Sequence, residues 1–364
     1  MQPVGVVVIG RNEGNRLKEC LLSVLSQKTT IVYVDSGSTD GSVALARSLG
    51  VHVVELDLSI PFTAGRARNA GFEHLLKVNP DTEFVQFVDG DCRIVEGWLE
   101  RAVHELVTQP HVVVVCGRRR EEFPDHSIYN RLCDIEWNTP VGEAKACGGD
   151  SMMRVLALKQ AVGFNPSLIA GEEPELCVRL RQSGGSILRI DTEMTQHDAQ
   201  MTHFSQWWKR SLRAGHAFAE GSWIHGSSPE RHWVKESRGI WLWGLQLPLL
   251  AITTVCLSVI ISFRILDSGF WIGNRHLYLS HIKPYVTLLF PGLSILLLFM
   301  AYALLGFKVY KHTSQRGFKS QEAVLYSLSC VLGKFPQVQG QIQFHLSRLL
   351  KRQRTLVEYK KVST

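Results

Sequence analysis

Short apolar runs and amphipathic stretches alternate along the first part of the chain, and long uncharged stretches replace them towards its end. Residues 4–9 (VGVVVI), 31–34 and 51–56 are β-branched runs of the kind that forms strands buried on both faces. Between them, Leu17, Cys20, Leu21, Val24 and Leu25 make a helical stripe within residues 16–27, and residues 42–49 read as a helix stopped at Gly50. This β-α-β-α-β order demands parallel strands and right-handed crossovers, which makes the fold class α/β. The same alternation predicts strands at 84–89, 112–116 and 186–190, and helices within 62–76, 96–108, 171–181 and 204–220.

Two later runs, 239–263 and 284–307, are apolar and uncharged over lengths that span a hydrocarbon core, with Trp241 and Trp243 as an interfacial belt. Basic residues flank them outside (Arg231, Lys235 and Arg238 before; Lys308, Lys311, Arg316 and Lys319 after) more densely than between (Arg264, Arg275, Lys283). Positive-inside counting therefore puts both the N-terminal domain and the tail in the cytoplasm of a multi-pass inner-membrane protein. Residues 320–335 contain an apolar patch too short to span, expected to be re-entrant or interfacial, and Arg348 to Arg354 form a basic tail suited to anionic lipid. The expected division is 1–225 catalytic, 226–238 linker, 239–307 membrane helices and 308–364 amphipathic tail.

A net charge of +7 admits nucleic acid, membrane or phosphate ligands, but the basic residues sit beside the apolar segments, which favours lipid over nucleic acid. The eight cysteines have no metal-like or paired spacing and read as reduced thiols. Met1-Gln2-Pro3-Val4 carries no basic leader region, so no signal peptide is expected.

Candidate chemistry lies at the carboxyl ends of the strands, where open α/β sheets place ligands. Glu13 follows the first strand, Asp35 and Asp40 the second, and Asp89-Gly90-Asp91 ends the run FVQFV. Two hard oxygen donors there suit Mg²⁺ or Mn²⁺ carrying a diphosphate; an acidic turn is the plain alternative. A cluster of carboxylates repels a bare diphosphate, so a cation has to mediate. The first loop, GRNEGN, lacks the G-x-G-x-x-G spacing, which excludes a dinucleotide-binding Rossmann domain. Arg66 and Arg68 at the start of a helix could hold phosphate oxygens or simply face solvent. The acidic helix opening Glu172-Glu173-Pro174-Glu175 suits the helix dipole, yet capping does not require three glutamates, and a carboxylate in a cleft is a candidate general base. His197 could complete a two-aspartate metal site or be structural, with His203 as the other candidate ligand. The Trp-rich basic helix with Trp207, Trp208, Lys209, Arg210 and Arg213 reads as a lid over phosphate or a helix at the membrane surface.

Together, VVIGRNE, VDSGSTDGS, GRARNAG, DGD and GEEPELCVRL resemble family 2 glycosyltransferases over roughly residues 3–220. The resemblance implies a GT-A fold and inverting transfer from a nucleotide diphosphate sugar to a saccharide or lipid-linked acceptor, with Mg²⁺ or Mn²⁺. It implies that Asn12, Glu13 and Asp35 contact the nucleoside, that Arg68 and Asn69 lie near the diphosphate, and that Asp89 and Asp91 hold the metal with His197 as third ligand or diphosphate contact. Gly148, Gly149 and Asp150 match an acceptor-side loop, and Glu173, beside Glu172, matches the catalytic base. The chain departs from the family pattern in carrying Arg11 where an aromatic residue is usual, and Glu rather than Asp at position 173. The Q-x-x-R-W signature of processive synthases is only shadowed by Gln206-Trp207-Trp208-Lys209-Arg210, which favours a non-processive enzyme. A sugar nucleotidyltransferase and a non-catalytic membrane scaffold are the rival classes.

Overall fold

The β-branched runs pair side by side, as residues buried on both faces must. In the computed structural model, which describes residues 3–27, 29–264, 270–272, 275–277 and 285–351, the N-terminal part alternates β1 (Val4–Gly10), α1 (Asn15–Leu25), β2 (Thr30–Asp35), α2 (Ser42–Ser48), β3 (His52–Glu55), α3 (Ala64–Val78) and β4 (Phe84–Asp89). There follow β5 (Cys92–Ile94), α4 (Trp98–Thr108), β6 (Val112–Glu121), α5 (Ile128–Trp137), β7 (Gly142–Glu143), β8 (Ser151–Arg154), α6 (Val155–Gln160), α7 (Glu172–Gln182) and β9 (Ser186–His197). The sheet order is β3-β2-β1-β4-β8-β6-β9-β5, with β7 on β9. Strands β3, β2, β1 and β4 are parallel, and β8 runs antiparallel to both β4 and β6.

Side chains alternate between two cores. Val6, Val8 and Val88 pack with Leu17, Leu21, Trp98 and Leu106 on one face; Val7, Val85 and Phe87 pack with Ala67, Leu75, Leu176 and Leu180 on the other. The period of two along each strand makes this sorting unavoidable.

Two strands run further than the apolar pattern predicts. Strand β6 continues past Cys116 through Arg118, Arg119 and Arg120, and β9 continues past Ile190 to His197. Their charged extensions pair with each other in register, Arg120 opposite Gln196 and Glu121 opposite His197. The charges are neutralised across the sheet, Arg120 by Glu193 at 2.8 Å and Arg119 by Asp150 at 2.8 Å, so residues that read as loop are tolerated in strand.

The last part is helical: α8 (Phe204–His225), α9 (Val234–Trp241), α10 (Leu247–Arg264), α11 (Phe290–Gln315), α12 (Ser320–Leu332) and α13 (Lys334–Leu349). A π-helical turn, Leu242–Gln246, joins α9 to α10 just before Pro248, and another, Tyr285–Leu289, precedes Pro291 in α11. Proline cannot donate to the i−4 carbonyl, and a wider turn absorbs the mismatch. Helical segments Val234–Ile261 and Thr287–Gln315 are long and apolar enough to cross a membrane, with mean hydropathies of 2.1 and 2.3 and only 17% and 0% of their most apolar stretches buried. Of the loop expected between them, 270–272 and 275–277 form a two-stranded ladder; Lys283, like Arg354 of the basic tail, lies outside the described residues.

Residues 320–335, expected as an interfacial patch, form α12 and the start of α13, which fold back onto α5 and α8. Helices α8 and α13 cross at Gly215 and Gly340. A Cβ on Gly215 would lie 2.0 Å from the Gln337 carbonyl oxygen, and one on Gly340 would lie 2.0 Å from that of Leu212. Only glycine permits backbones this close.

Candidate active site

Parallel register aligns the strand tips, with Gly10 opposite Asp35 and Ile9 opposite Asp89. They open into a cleft of about 830 Å³ walled by Arg11, Asn12 and Glu13 on one side and by Glu172, Glu173 and Trp207 on another. Tyr326, Ser329, Cys330 and Gln337 of α12 and α13 also line it, so the segment expected as a tail is part of the wall.

Asp35 is buried beneath this cleft. Its carboxylate accepts the Tyr33 hydroxyl and the amides of Gly37 and Ser38, each at 2.8 Å, and so shapes the loop after β2. Burial and the adjacent Asp35 charge push the Tyr33 pKa far up, which keeps its hydroxyl a donor. Asn12 takes a left-handed φ of 55°, which asparagine tolerates, and ties the first loop to the second: its Oδ1 accepts the Thr39 amide at 2.7 Å and its amide donates to Ser38 Oγ at 2.9 Å. Glu13 pairs with Arg16 at 2.6 Å. Beside them the Arg11 guanidinium lies 4.5 Å from the centre of the Phe62 ring.

The Asp89 carboxylate is gripped by two arginines. Arg68 Nη2 donates to Oδ1 at 2.8 Å and Arg119 Nη2 to Oδ2 at 3.2 Å. Arg68 also reaches Glu172 Oε1 at 2.7 Å, which joins the β4 tip to the start of α7. Asp150, fully buried, accepts Arg119 Nε at 2.9 Å, the Thr195 hydroxyl at 2.7 Å and the Asp89 amide at 2.9 Å. Burial works against the charge on Arg68 and Arg119, but the surrounding carboxylates prevail and hold both pKa values above the ordinary arginine range. Gly149 lets these groups meet: a Cβ there would stand 2.7 Å from Arg68 Nη2 and 3.0 Å from Asp89 Oδ2. Gly148 just before it adopts φ 84°.

Asp91 and His197, both buried, are brought together by the extension of β9, which sets His197 opposite Cys92. His197 Nε2 stands 3.1 Å from Asp91 Oδ2, its Nδ1 is 3.7 Å from Glu121 Oε2, and Trp137 meets its ring edge-on at 4.7 Å. His203, by contrast, is the exposed N-cap of α8, where it forms a capping box with Gln206.

Glu173 lines the cleft while its Oε1 accepts the Cys147 amide at 2.6 Å and approaches the Cys147 and Cys177 thiols at 3.0 Å each. Asn69 is elsewhere. Its amide bonds both the N–H and the C=O of Phe164, at 2.8 and 2.7 Å, and it does not line the cleft, so it clamps α3 to the loop before α7 instead of facing a diphosphate. Arg119 is the site residue that sequence reasoning missed. It stands in a run of three arginines, and only strand alternation within that run would have marked it as inward-facing.

Of the three expected metal donors, Asp91 and His197 come together with Cys92, whereas Asp89 clusters with Cys92 and Asp150 and has both carboxylate oxygens held by arginines. Neighbouring ligands of an octahedral Mg²⁺ or Mn²⁺ with bonds of about 2.1 Å stand about 3 Å apart. The spacing between His197 Nε2 and Asp91 Oδ2 matches this at 3.1 Å, and Asp89 is the most exposed of the three, with 28% of its side chain accessible.

Residues 5–148 match the family model described as "Glycosyl transferase family 2". A curated relative named "Glycosyltransferase AglE", from Haloferax volcanii, is 24% identical over 225 residues, which take in 58% of this chain and 71% of that one. A "Pre-mycofactocin glycosyltransferase" from Mycobacterium tuberculosis is also 24% identical over 58% of this chain, of which the match spans 46% of the relative's length. Among solved structures, the fold is similar to a mannosyltransferase from Pyrobaculum calidifontis determined in complex with GDP-Man and Mn²⁺. The TM-score is 0.58 at 16% identity, over 95% of this chain and 87% of that one.

Proposed function

We propose that the protein is a non-processive inverting glycosyltransferase, a reading supported by the match of residues 5–148 to the family 2 glycosyl transferase model and by the GT-A-like fold. It moves a sugar from a nucleotide diphosphate sugar to a hydroxyl of a saccharide or lipid-linked acceptor. One observation carries the reading: the carboxylates of Asp89 and Asp91, the guanidinium of Arg68 and the glutamates 172 and 173 all border one cleft at the carboxyl ends of parallel strands.

In this reading Asn12 and Glu13 border the nucleoside end, and Asp35 holds their partner loop in shape. Asp89, Asp91 and His197 would hold Mg²⁺ or Mn²⁺. Bound there, the cation supplies charge neutralisation for the departing diphosphate. Arg68 supplies a positive charge beside Asp89, fixed in place by Glu172. Glu173 takes the proton from the acceptor hydroxyl as that oxygen attacks the face opposite the diphosphate. Gly149 borders the cleft on the acceptor side beside Asp89, and the buried Asp150 behind it holds the Asp89 amide. The two long apolar helices anchor the enzyme in the inner membrane with the cleft in the cytoplasm, and α12 and α13 bring the membrane-proximal part of the chain to the acceptor side.

The test is purified protein with Mn²⁺, a panel of nucleotide sugars and lipid or saccharide acceptors. Release of a nucleoside diphosphate is expected. Release of pyrophosphate would instead indicate a nucleotidyltransferase, and no turnover with any pair would indicate a scaffold.

A further inference from the structure

Behind Glu173, two thiols form a donor set unlike the carboxylates and arginines that line the cleft. Cys147, in the loop before β8, and Cys177, one turn after Glu173 on α7, place their sulfurs 3.7 Å apart, and each sulfur lies 3.0 Å from Glu173 Oε1. All three ligand atoms lie within 4.8 Å of one another. Two Zn–S bonds of about 2.3 Å at the tetrahedral angle set their sulfurs about 3.7–3.8 Å apart, which is the spacing found here. A triangle with the observed sides also has a point about 2.3 Å from every corner, about 1.3 Å out of its plane, so one ion can reach all three donors.

We propose that Cys147, Cys177 and Glu173 form a binding site for a thiophilic divalent cation of the Zn²⁺ class, separate from the aspartate site at the β4 tip. The chemistry of the two sites divides cleanly: carboxylate oxygens suit Mg²⁺ and Mn²⁺, whereas two thiolates and one carboxylate select Zn²⁺ or Co²⁺. Both thiols stand at hydrogen-bonding distance from Glu173 Oε1 and enter as S–H donors to it. Binding breaks the two S–H bonds, releases two protons to solvent and forms two metal–thiolate bonds and one metal–carboxylate bond. No electrons move. One divalent charge replaces two protons, so the net charge of the buried cluster does not change. The Cys147 amide, 2.6 Å from Glu173 Oε1, keeps the carboxylate in place. Cys147 is partly exposed, which gives the ion an approach and leaves the fourth position for water.

Occupation would hold the Glu173 carboxylate on the metal and withdraw it as a base, so the site is inhibitory; this consequence, unlike the site itself, rests on the transferase reading. The experiment uses reduced, metal-stripped full-length protein in detergent with excess Mg²⁺, titrated with Co²⁺. One equivalent should produce a thiolate-to-cobalt charge-transfer band and tetrahedral visible bands, displaced by Zn²⁺. Cys147→Ser and Cys177→Ser should each weaken Co²⁺ binding by at least about 100-fold. Absence of the band in folded wild-type protein, or its persistence in Cys147→Ser, would overturn the site; Cys147 is partly exposed in a loop, so that variant decides the matter even where Cys177→Ser does not fold. In the transfer assay Zn²⁺ should inhibit wild type at least tenfold more strongly than Cys147→Ser. Cobalt binding without zinc inhibition would leave the site standing and overturn its inhibitory role.

Discussion

Arg68 Nη2 lies 2.8 Å from Asp89 Oδ1, and this pair carries the connection between the tip of β4 and the first turn of α7, because the other arm of the same guanidinium holds Glu172. The arginine is 2% exposed and serves two carboxylates at once. Replacing it by alanine strands Glu172 and leaves Asp89 to Arg119 alone, at a cost of about 3–5 kcal/mol. Arg68→Lys keeps one positive charge but not the two-armed geometry. We expect Arg68→Ala to unfold at markedly lower denaturant concentration, and Arg68→Lys to fold yet lose donor affinity, read by denaturation and by calorimetric titration with nucleoside diphosphate. Unchanged stability in the alanine variant would refute the bridging role.

Glu173→Gln keeps the size of the side chain and removes its basicity. Turnover should fall by about 10²–10⁴-fold while donor binding is retained. Glu172→Gln should instead weaken the hold on Arg68 and raise the donor requirement. Steady-state kinetics on the two variants separate these roles, and full activity in Glu173→Gln would reject it as the base.

Asp91 meets His197 at 3.1 Å in a buried setting, so Asp91→Asn retains volume but removes the charge a cation needs. Its apparent Mn²⁺ affinity should fall by about 10–100-fold or more in a metal titration followed by turnover. An unaltered metal curve would place the cation elsewhere.

The crossing of α8 and α13 makes the cleft wall sensitive to a single methyl group. Gly340→Ala puts a Cβ 2.0 Å from the Leu212 carbonyl oxygen and 2.8 Å from the His216 nitrogen. Overpacking of this kind costs about 1–3 kcal/mol. The expected result is faster proteolysis after α11 and a raised acceptor KM with an intact β-sheet; wild-type behaviour in both assays would show that the hairpin is not held at this crossing.

Acid should loosen the α8–α9 junction. Burial, reinforced by His225 and Arg181 and opposed by Glu230 and Glu175, lowers the His232 pKa from 6.5 to about 4. The unfolded chain therefore binds more protons than the folded one between those values, and the stability His232 contributes is present above about pH 6.5 and lost as pH falls towards 4. The residue is only half-buried, so the loss is on the order of 1 kcal/mol after solvent screening. Denaturation at pH 7, 6 and 5 should give a flatter pH dependence in His232→Gln than in wild type, even though loss of the ring stacked 4.2 Å from Trp233 lowers stability throughout.

Local periodicity carried the architecture. The β-branched runs around Val7, Val32 and Val85 and the stripe from Leu17 to Val24 report directly which faces are buried, and the parallel order follows from their alternation. The carboxylates at Asp89, Asp91, Glu172 and Glu173 were legible for the same reason, since each sits where a strand or helix visibly begins or ends. What the chain order could not reveal was pairing across distance. Arg119 joins Asp89 and Asp150, His197 joins Asp91, Asn69 turns to Phe164, and α12 and α13 return to wall the cleft. A charge in a strand reads as loop until its partner on another strand is known, and a C-terminal segment reads as a tail until the glycine crossing of α8 and α13 shows what it packs against. Sequence determined which residues had to be buried; only the tertiary structure decided what they were buried against, because that choice depends on contacts between residues far apart in the chain.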